Sequence, residues 1–359
     1  MTTPLLLEET KTDPAHAAWL EEVGTDLLEW GAASRTEHGF GWLDSSGTLD
    51  PDHDLELWIN CRMTHCFALA SIRGTESSRD YAELAAHGLS ALSGAFHDDE
   101  HGGFYSIIAR ETGEPVDDSK QAYAHAFVVL AASSLVEAHI PGADELLETA
   151  LEAHARFFES EHEMFADTYS RDFSNCEDYR GINANMHSVE GLLAASAATG
   201  RLELFERAAV IVERALAFAK GNGWFLPEHF TTAWEPRPDY NRDEPAHPFR
   251  PYGATIGHSF EWARLALHTA AGFEGQFSDV TRAQERASAL RDGALALAEK
   301  ACETWGIDGD GGFPYTVDWD GKPVVHERMH WVVAEAIGAA AVLFRTSGDP
   351  VDRKSTRLN

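Results

Sequence analysis

The chain has 359 residues, 44% of them hydrophobic, with 28 basic residues against 59 acidic ones and a formal net charge of −31. That length suits one large domain or two ordinary ones, and the apolar fraction excludes disorder as the default. The acidic excess opposes binding to nucleic acid or an anionic membrane and suits a small neutral ligand.

The N-terminus, Met1-Thr-Thr-Pro-Leu-Leu-Leu-Glu-Glu, has no basic region and turns acidic at once, so it does not read as a secretory signal. Apolar residues then recur at three- and four-residue spacing through about ten segments, which predict helices over 14–32, 53–74, 78–96, 119–139, 142–161, 181–199, 201–220, 254–272, 279–303 and 326–346. The longest apolar run, Ala126 to Val136, is too short to span a bilayer. The four cysteines (Cys61, Cys66, Cys176, Cys302) make neither a CxxC pair nor a zinc-like spacing, which suits a reducing compartment. The expected location is the cytoplasm; composition carries no oligomeric state.

The odd-numbered helices of this series are plain amphipathic elements. The even-numbered ones cluster polar and aromatic residues near their starts: Trp58, Arg62 and His65; Tyr123 and His125; Asn183, His187 and Glu190; His258, Glu261 and Trp262; Arg328, Trp331 and Glu335. Alternation of that kind predicts an all-α fold, an (α/α)6 toroid in which outer helices keep one wet face and inner helices are covered all round. Strand signals are confined to Gly103–Ile108 and Gly312–Trp319, each bounded by turn residues, and read as short β-hairpins in the loops at one end. The segment from Trp224 to Tyr252, rich in Pro, Asp, Asn and aromatics, is expected to lie over the mouth of a cavity. No Pro/Ser-rich linker divides the chain, so one domain over 1–352 is expected.

Two His/Glu pairs at a spacing of three, His187 with Glu190 and His258 with Glu261, point each pair the same way from one helix. Alone, each is equally a satisfied core network; two on separate helices suggest a shared polar cavity. Gly257 and the preceding Pro251-Tyr-Gly-Ala-Thr put His258 in the first turn of its helix, where an imidazole is exposed for acid/base work. Arg62, on an otherwise apolar helix, must be paired or face a wet pocket, where its fork could hold sugar hydroxyls or an enediolate oxygen. His326-Glu-Arg-Met-His330 matches the His-Glu-x-x-His zinc pattern. His326 falls where the second hairpin ends, however, and no third ligand follows, so no metal is assigned.

The segments Arg62-Met-Thr-His65, Gly181-Ile-Asn-Ala-Asn-Met-His187, Pro238-Asp-Tyr-Asn241, Gly257-His-Ser-Phe-Glu-Trp262 and Tyr315-Thr-Val-Asp-Trp-Asp-Gly-Lys-Pro323 resemble the N-acylglucosamine 2-epimerase superfamily, in its mannose isomerase and sulfoquinovose isomerase branch. The resemblance runs from about Phe40 to Phe344. It implies an (α/α)6 barrel and a monosaccharide substrate, interconverted between aldose and ketose without metal or cofactor. It further implies that His258 is an acid/base histidine partnered by Glu261, and that Arg62, Tyr123, Asn183 and His187 contact the sugar. Trp262 and Trp319 would wall the pocket, with Trp58 and Arg250 beside them. Pro248 stands where sulfoquinovose isomerases carry an Arg, a loss that favours D-mannose over the sulfonated sugar, with Arg250 close by. Readings left beside an aldose–ketose isomerase are a sugar 2-epimerase, a glycoside hydrolase using two of Glu190, Glu261 and Glu335, and a non-catalytic binding relative. Only about ten of twelve helices are placed, and Arg353-Lys-Ser-Thr-Arg-Leu-Asn359 reads as a foreign basic tail. The expectation is therefore a barrel short of one hairpin, with apolar flanks exposed on the first and tenth helices and little activity.

Overall fold

A computed structural model describes residues 14–347 apart from residues 76 and 78; the expected basic tail lies outside the described residues. Ten helices occur among the described residues: α1 (Pro14–Ala32), α2 (Leu57–Arg73), α3 (Tyr81–Ser93), α4 (Ala122–Glu137), α5 (Ala143–Ala155), α6 (Ile182–Thr199), α7 (Leu202–Gly221), α8 (Ile256–Glu274), α9 (Ala283–Cys302) and α10 (His330–Ser347). The alternation expected from sequence is visible in burial. α5 and α9 bury 7 of 13 and 8 of 20 residues, whereas α4 and α8 bury 13 of 16 and 13 of 19. An amphipathic stripe needs only one covered face; α4 and α8 are covered on nearly every side.

The described residues divide into two compact units: 14–158, 167–177 and 194–200, and 159–166, 178–193 and 201–347. In the first, α2 packs against α3 and α4, and α4 against α5. Gly88 of α3 lets the helices approach, since a Cβ there would stand 2.0 Å from Thr64 Oγ1. In the second, α8 packs against α7, α9 and α10.

The strands, β5 (Phe158–Glu159) and β6 (Met164–Phe165) among them, are two or three residues long, and four of them serve one purpose. β1 (Leu55–Glu56), β4 (Lys120–Gln121), β8 (Arg180–Gly181) and β10 (Ala254–Thr255) immediately precede α2, α4, α6 and α8. Each pairs antiparallel with a connecting segment: with β2 (Ile107–Ile108), β7 (Thr168–Tyr169), β9 (His229–Phe230) and β11 (Thr316–Val317) respectively. The first N–H of each helix then donates to a carbonyl of that same connection. The pairs are Leu57 to Ser106 (3.0 Å), Ala122 to Asp167 (2.8 Å), Ile182 to Glu228 (3.0 Å) and Ile256 to Tyr315 (3.2 Å). These donors have no partner inside their own helices, so the connections supply what a capping side chain otherwise would.

A polar side chain at the fourth position of three of these helices pins an incoming loop. Asn60 bonds both backbone groups of Phe40. Asn185 does the same for Phe165 while also donating to Gly181 O. His125 Nε2 accepts from Phe104 N (3.0 Å) while Nδ1 meets Gln121 O (2.8 Å). Burial holds that imidazole down at a pKa of about 3, so it stays neutral and can accept.

The two expected hairpins are present, β2 with β3 (Pro115–Asp117) and β11 with β12 (Pro323–Val325). Asp98 is the centre of an ion cluster, taking Lys120 Nζ at 2.9 Å and Arg171 Nε and Nη2 at 2.9 and 3.0 Å. Burial alone would raise the Asp98 carboxyl, but Arg171 and Lys120 hold it well below the usual range. All four cysteines are free. No helix among the described residues is long and apolar enough to cross a membrane.

Trp19, Leu20, Leu27 and Trp30 of α1 and Ile337 of α10 are exposed.

Candidate active site

The second unit brings together His258, His187 and several carboxylates. His258 is the third residue of α8, and its Nδ1 lies 3.0 Å from Glu228 Oε2. Glu228 sits one residue before β9, is 4% exposed, and its other oxygen accepts from Thr255 N at 3.3 Å. A carboxylate fixed on Nδ1 makes that nitrogen the protonated one and leaves Nε2 for chemistry. Burial works against the imidazolium, but Glu228, aided by Glu261 and Glu335, outweighs it and raises the His258 pKa above its ordinary value. The Trp331 ring flanks the imidazole at 5.6 Å between centroids. Gly257 makes room for it, since a Cβ there would fall 2.1 Å from Trp331 Cζ3.

The expected partner of His258 is corrected by this geometry. Glu261 does not hold His258; its Oε1 lies 3.7 Å from His187 Nδ1 on α6 and 3.8 Å from Arg264. Residues three apart share a helix face, but the imidazole turns toward β9 and the carboxylate toward α6. The other expected pair holds: His187 Nδ1 meets Glu190 Oε2 at 3.2 Å. Arg264 joins these groups to α10, with Nε on Glu335 Oε2 at 3.1 Å and a terminal nitrogen 3.7 Å from Glu190. Burial raises the Glu335 carboxyl, with Glu261 adding to it, while Arg264 opposes the shift. Ligand-type atoms of His187, Glu190 and Glu261 come within 4.8 Å of one another. A cation there would meet the Arg264 guanidinium, which already occupies the positive position between both carboxylates.

Asn183, on the His187 face of α6, keeps a buried Oδ1 without a hydrogen-bond partner, an acceptor suited to a hydroxyl donor. Trp262 is another correction. It is 0% exposed and therefore belongs to the core rather than to a pocket wall. As the seventh residue of α8 it corresponds to the fully buried Val128 of α4 and Ser188 of α6, whereas the second and sixth positions carry the Asn183 and His187 types. Trp319 donates Nε1 to Pro238 O at 2.9 Å, tying the β11–β12 turn to the 224–252 segment. The Arg250 guanidinium lies 3.8 Å from the Tyr179 ring centroid. Tyr179 OH in turn meets His229 Nδ1 at 2.7 Å, and His229 Nε2 meets Pro251 O at 2.8 Å. The segment expected only to cover a cavity thus supplies buried polar groups of its own, Glu228 among them.

In the first unit, Trp58 and Tyr123, second residues of α2 and α4, meet edge to face at 6.3 Å. Arg62 is exposed, its Cζ 4.5 Å from the Phe127 ring and 5.5 Å from Trp58. Trp58 donates its indole N–H to Glu56. His65 is occupied by Ser134 Oγ at 2.7 Å.

The His-Glu-x-x-His stretch is not a helical motif. α10 begins only at His330, and His326 and Arg328 both bind Asp308, at 2.8 Å for the imidazole. The two imidazoles therefore lack the one-turn helical spacing that a zinc site of this type requires.

A family model described as N-acylglucosamine 2-epimerase matches residues 39–357. A D-mannose isomerase of Thermobifida fusca is 44% identical over 338 residues, covering 93% of this chain and 80% of that protein. One from Pseudomonas cannabina pv. alisalensis is 43% identical over 344 residues, covering 94% and 79%. Among solved structures, a D-mannose isomerase crystal structure superposes with a TM-score of 0.82 at 26% identity, covering 96% of this chain and 85% of that one. The alternating helices thus have the all-α, (α/α)6 class of fold, and the chain belongs to the N-acylglucosamine 2-epimerase family.

Proposed function

We propose that the protein is an aldose–ketose isomerase acting on a neutral monosaccharide, D-mannose to D-fructose in the first instance, with His258 as a catalytic acid/base. The observation that carries this is the Glu228–His258 pair, which gives a part-buried imidazole a fixed tautomer and a stabilised protonated state. With the sugar ring open, the C2 proton passes to an imidazole as the C2–H electrons form a C1–C2 double bond and O1 takes a proton. The cis-enediol then gives up its O2 proton, C1 receives one, and C2 becomes the carbonyl carbon. Each transfer suits an imidazole titrating near neutrality. His187, oriented by Glu190 and Glu261, is the second imidazole of this reading, and Asn183 the acceptor for a sugar hydroxyl. Arg62, Trp58 and Tyr123 are proposed as sugar contacts, Arg62 by donation to oxygens that gain negative charge.

The buried acidic groups around both histidines disfavour a phosphorylated or sulfonated sugar. An inverting hydrolase needs carboxyls roughly 6.5–9.5 Å apart across the sugar. Glu190 and Glu261 are closer, at most 4.8 Å between their nearest ligand-type oxygens, and both face His187 and Arg264. The test is a panel of aldoses, ketoses and oligosaccharides followed by NMR. Ketose formation from D-mannose supports isomerisation, a C2 epimer alone makes the enzyme a 2-epimerase, and reducing ends from oligosaccharides alone would make it a hydrolase.

A further inference from the structure

We propose that Arg264 is a positioning residue: it binds Glu190, Glu261 and Glu335 together so that the first two face His187 as ionised acceptors, and it does not itself hold substrate. The inference rests on the isomerase reading of His187 and adds a residue that touches none of the reacting atoms.

Three helices converge on this guanidinium. Glu335 comes from α10, Glu190 from α6 and Glu261 from α8, at 3.1, 3.7 and 3.8 Å. All three carboxylates are at most a quarter exposed, and the Arg264 side chain is 19% exposed. Other charged or titratable groups of this neighbourhood are His187 on α6, His258 and His268 on α8, and Arg345 on α10. His268 is held below its ordinary pKa by burial, then by Arg264 and Arg345, so it adds no positive charge at neutral pH. Arg264 is thus the cation in contact with all three carboxylates. Without it, three largely covered carboxylates would face one another, and a like-charge cluster of that kind relieves itself by taking up a proton. The proton can settle on Glu335, whose carboxyl is already raised by burial and by Glu261, or on a carboxylate facing His187. Protonating Glu190 or Glu261 turns an acceptor for His187 Nδ1–H into a possible donor and lets the ring change tautomer. A guanidinium meets three carboxylates from three directions, which a single ammonium cannot reproduce.

The experiment compares Arg264→Gln, Arg264→Lys, and the double variant Arg264→Gln/Glu335→Gln, which restores the original charge balance. With D-mannose as the probe, Arg264→Gln should lose about 100-fold in kcat, the scale of disabling a general acid/base, with KM nearly unchanged. Arg264→Lys should fall between it and the wild type. The double variant should recover at least about 10-fold over Arg264→Gln, because the two substitutions touch one network and are not additive. The 15N shifts of the His187 ring provide a readout independent of turnover. They should report an Nδ1–H tautomer in the wild type, a changed pattern in Arg264→Gln, and a return in the double variant. A rise in KM with kcat unchanged would make Arg264 a substrate contact and overturn the proposal. So would a His187 pattern identical in every folded variant. If Arg264→Gln does not fold, Arg264→Lys and the double variant carry the same comparison. A wild-type chain that converts no sugar defeats the isomerase reading alone, and the ring shifts still decide the network.

Discussion

At His258 the local chemistry turns on a single carboxylate. Glu228 gives the imidazole its tautomer and, against the penalty of burial, raises its pKa. A group whose folded-state pKa lies above its unfolded value adds stability that is fully present below the unfolded pKa, about 6.5 for histidine, and is lost as pH rises through the folded pKa. Glu228→Gln removes the cause of the shift. Its stability deficit against wild type, measured by denaturant unfolding between pH 5 and 9, should be largest below about pH 6.5 and narrow toward pH 9. The acid limb of kcat/KM, set by the loss of the neutral His258 base, should move to lower pH in the same variant. A deficit that stays constant with pH would mean that Glu228 only packs. Nothing in the chain order points to this residue, because it lies in a loop without helical periodicity, thirty positions before its partner. The i, i+3 rule found the His187–Glu190 pair and misassigned His258, since both carboxylates satisfy the spacing and only the surrounding elements decide which way each side chain turns.

Among the elements, α2, α4, α6 and α8 share a construction of a two-residue strand, a first N–H bonded to the connection, and a polar side chain at the fourth position. Asn185 shows the energetics. Its amide satisfies both backbone groups of Phe165, which is itself fully buried. Asn185→Ala removes both of these buried hydrogen bonds and should cost about 1–3 kcal/mol of stability by denaturant titration, from roughly 0.5–1.5 kcal/mol per hydrogen bond. A loss below half a kcal/mol would show that water replaces the amide. Gly257 supports the site differently. Any Cβ there collides with the Trp331 ring flanking His258, so Gly257→Ala should lower kcat/KM by at least 10-fold, the scale of ångström misplacement at a reacting centre. An alanine variant with wild-type kinetics would separate Trp331 from the function of His258. These helices were legible in sequence because an apolar period of three to four is a burial pattern, and burial is what the structure enforces. Their starts were less so: α2 and α10 each begin four residues later than the periodicity suggested, where polar residues of the connection mimic a helical face. Arg328 illustrates the effect, reading as helical in sequence while bound to Asp308 in the β12–α10 connection.

For the molecule as a whole, the family relationship and the acidic composition point to one chemistry, the movement of a carbon-bound proton on an uncharged sugar. The helix alternation and the motif segments that pointed to this family were all present in the linear sequence. The groups around Arg264 were not, because their significance lies in three helices meeting at one guanidinium. The most direct test is to incubate the full chain with D-mannose in deuterated water and follow the sugar by proton and carbon NMR. The account predicts D-fructose carrying deuterium at C1, at a rate reduced at least ~100-fold in His258→Ala, the lower range for loss of a general acid/base. Absence of both ketose and label from the wild-type chain, or equal rates in the His258 variant, would contradict it.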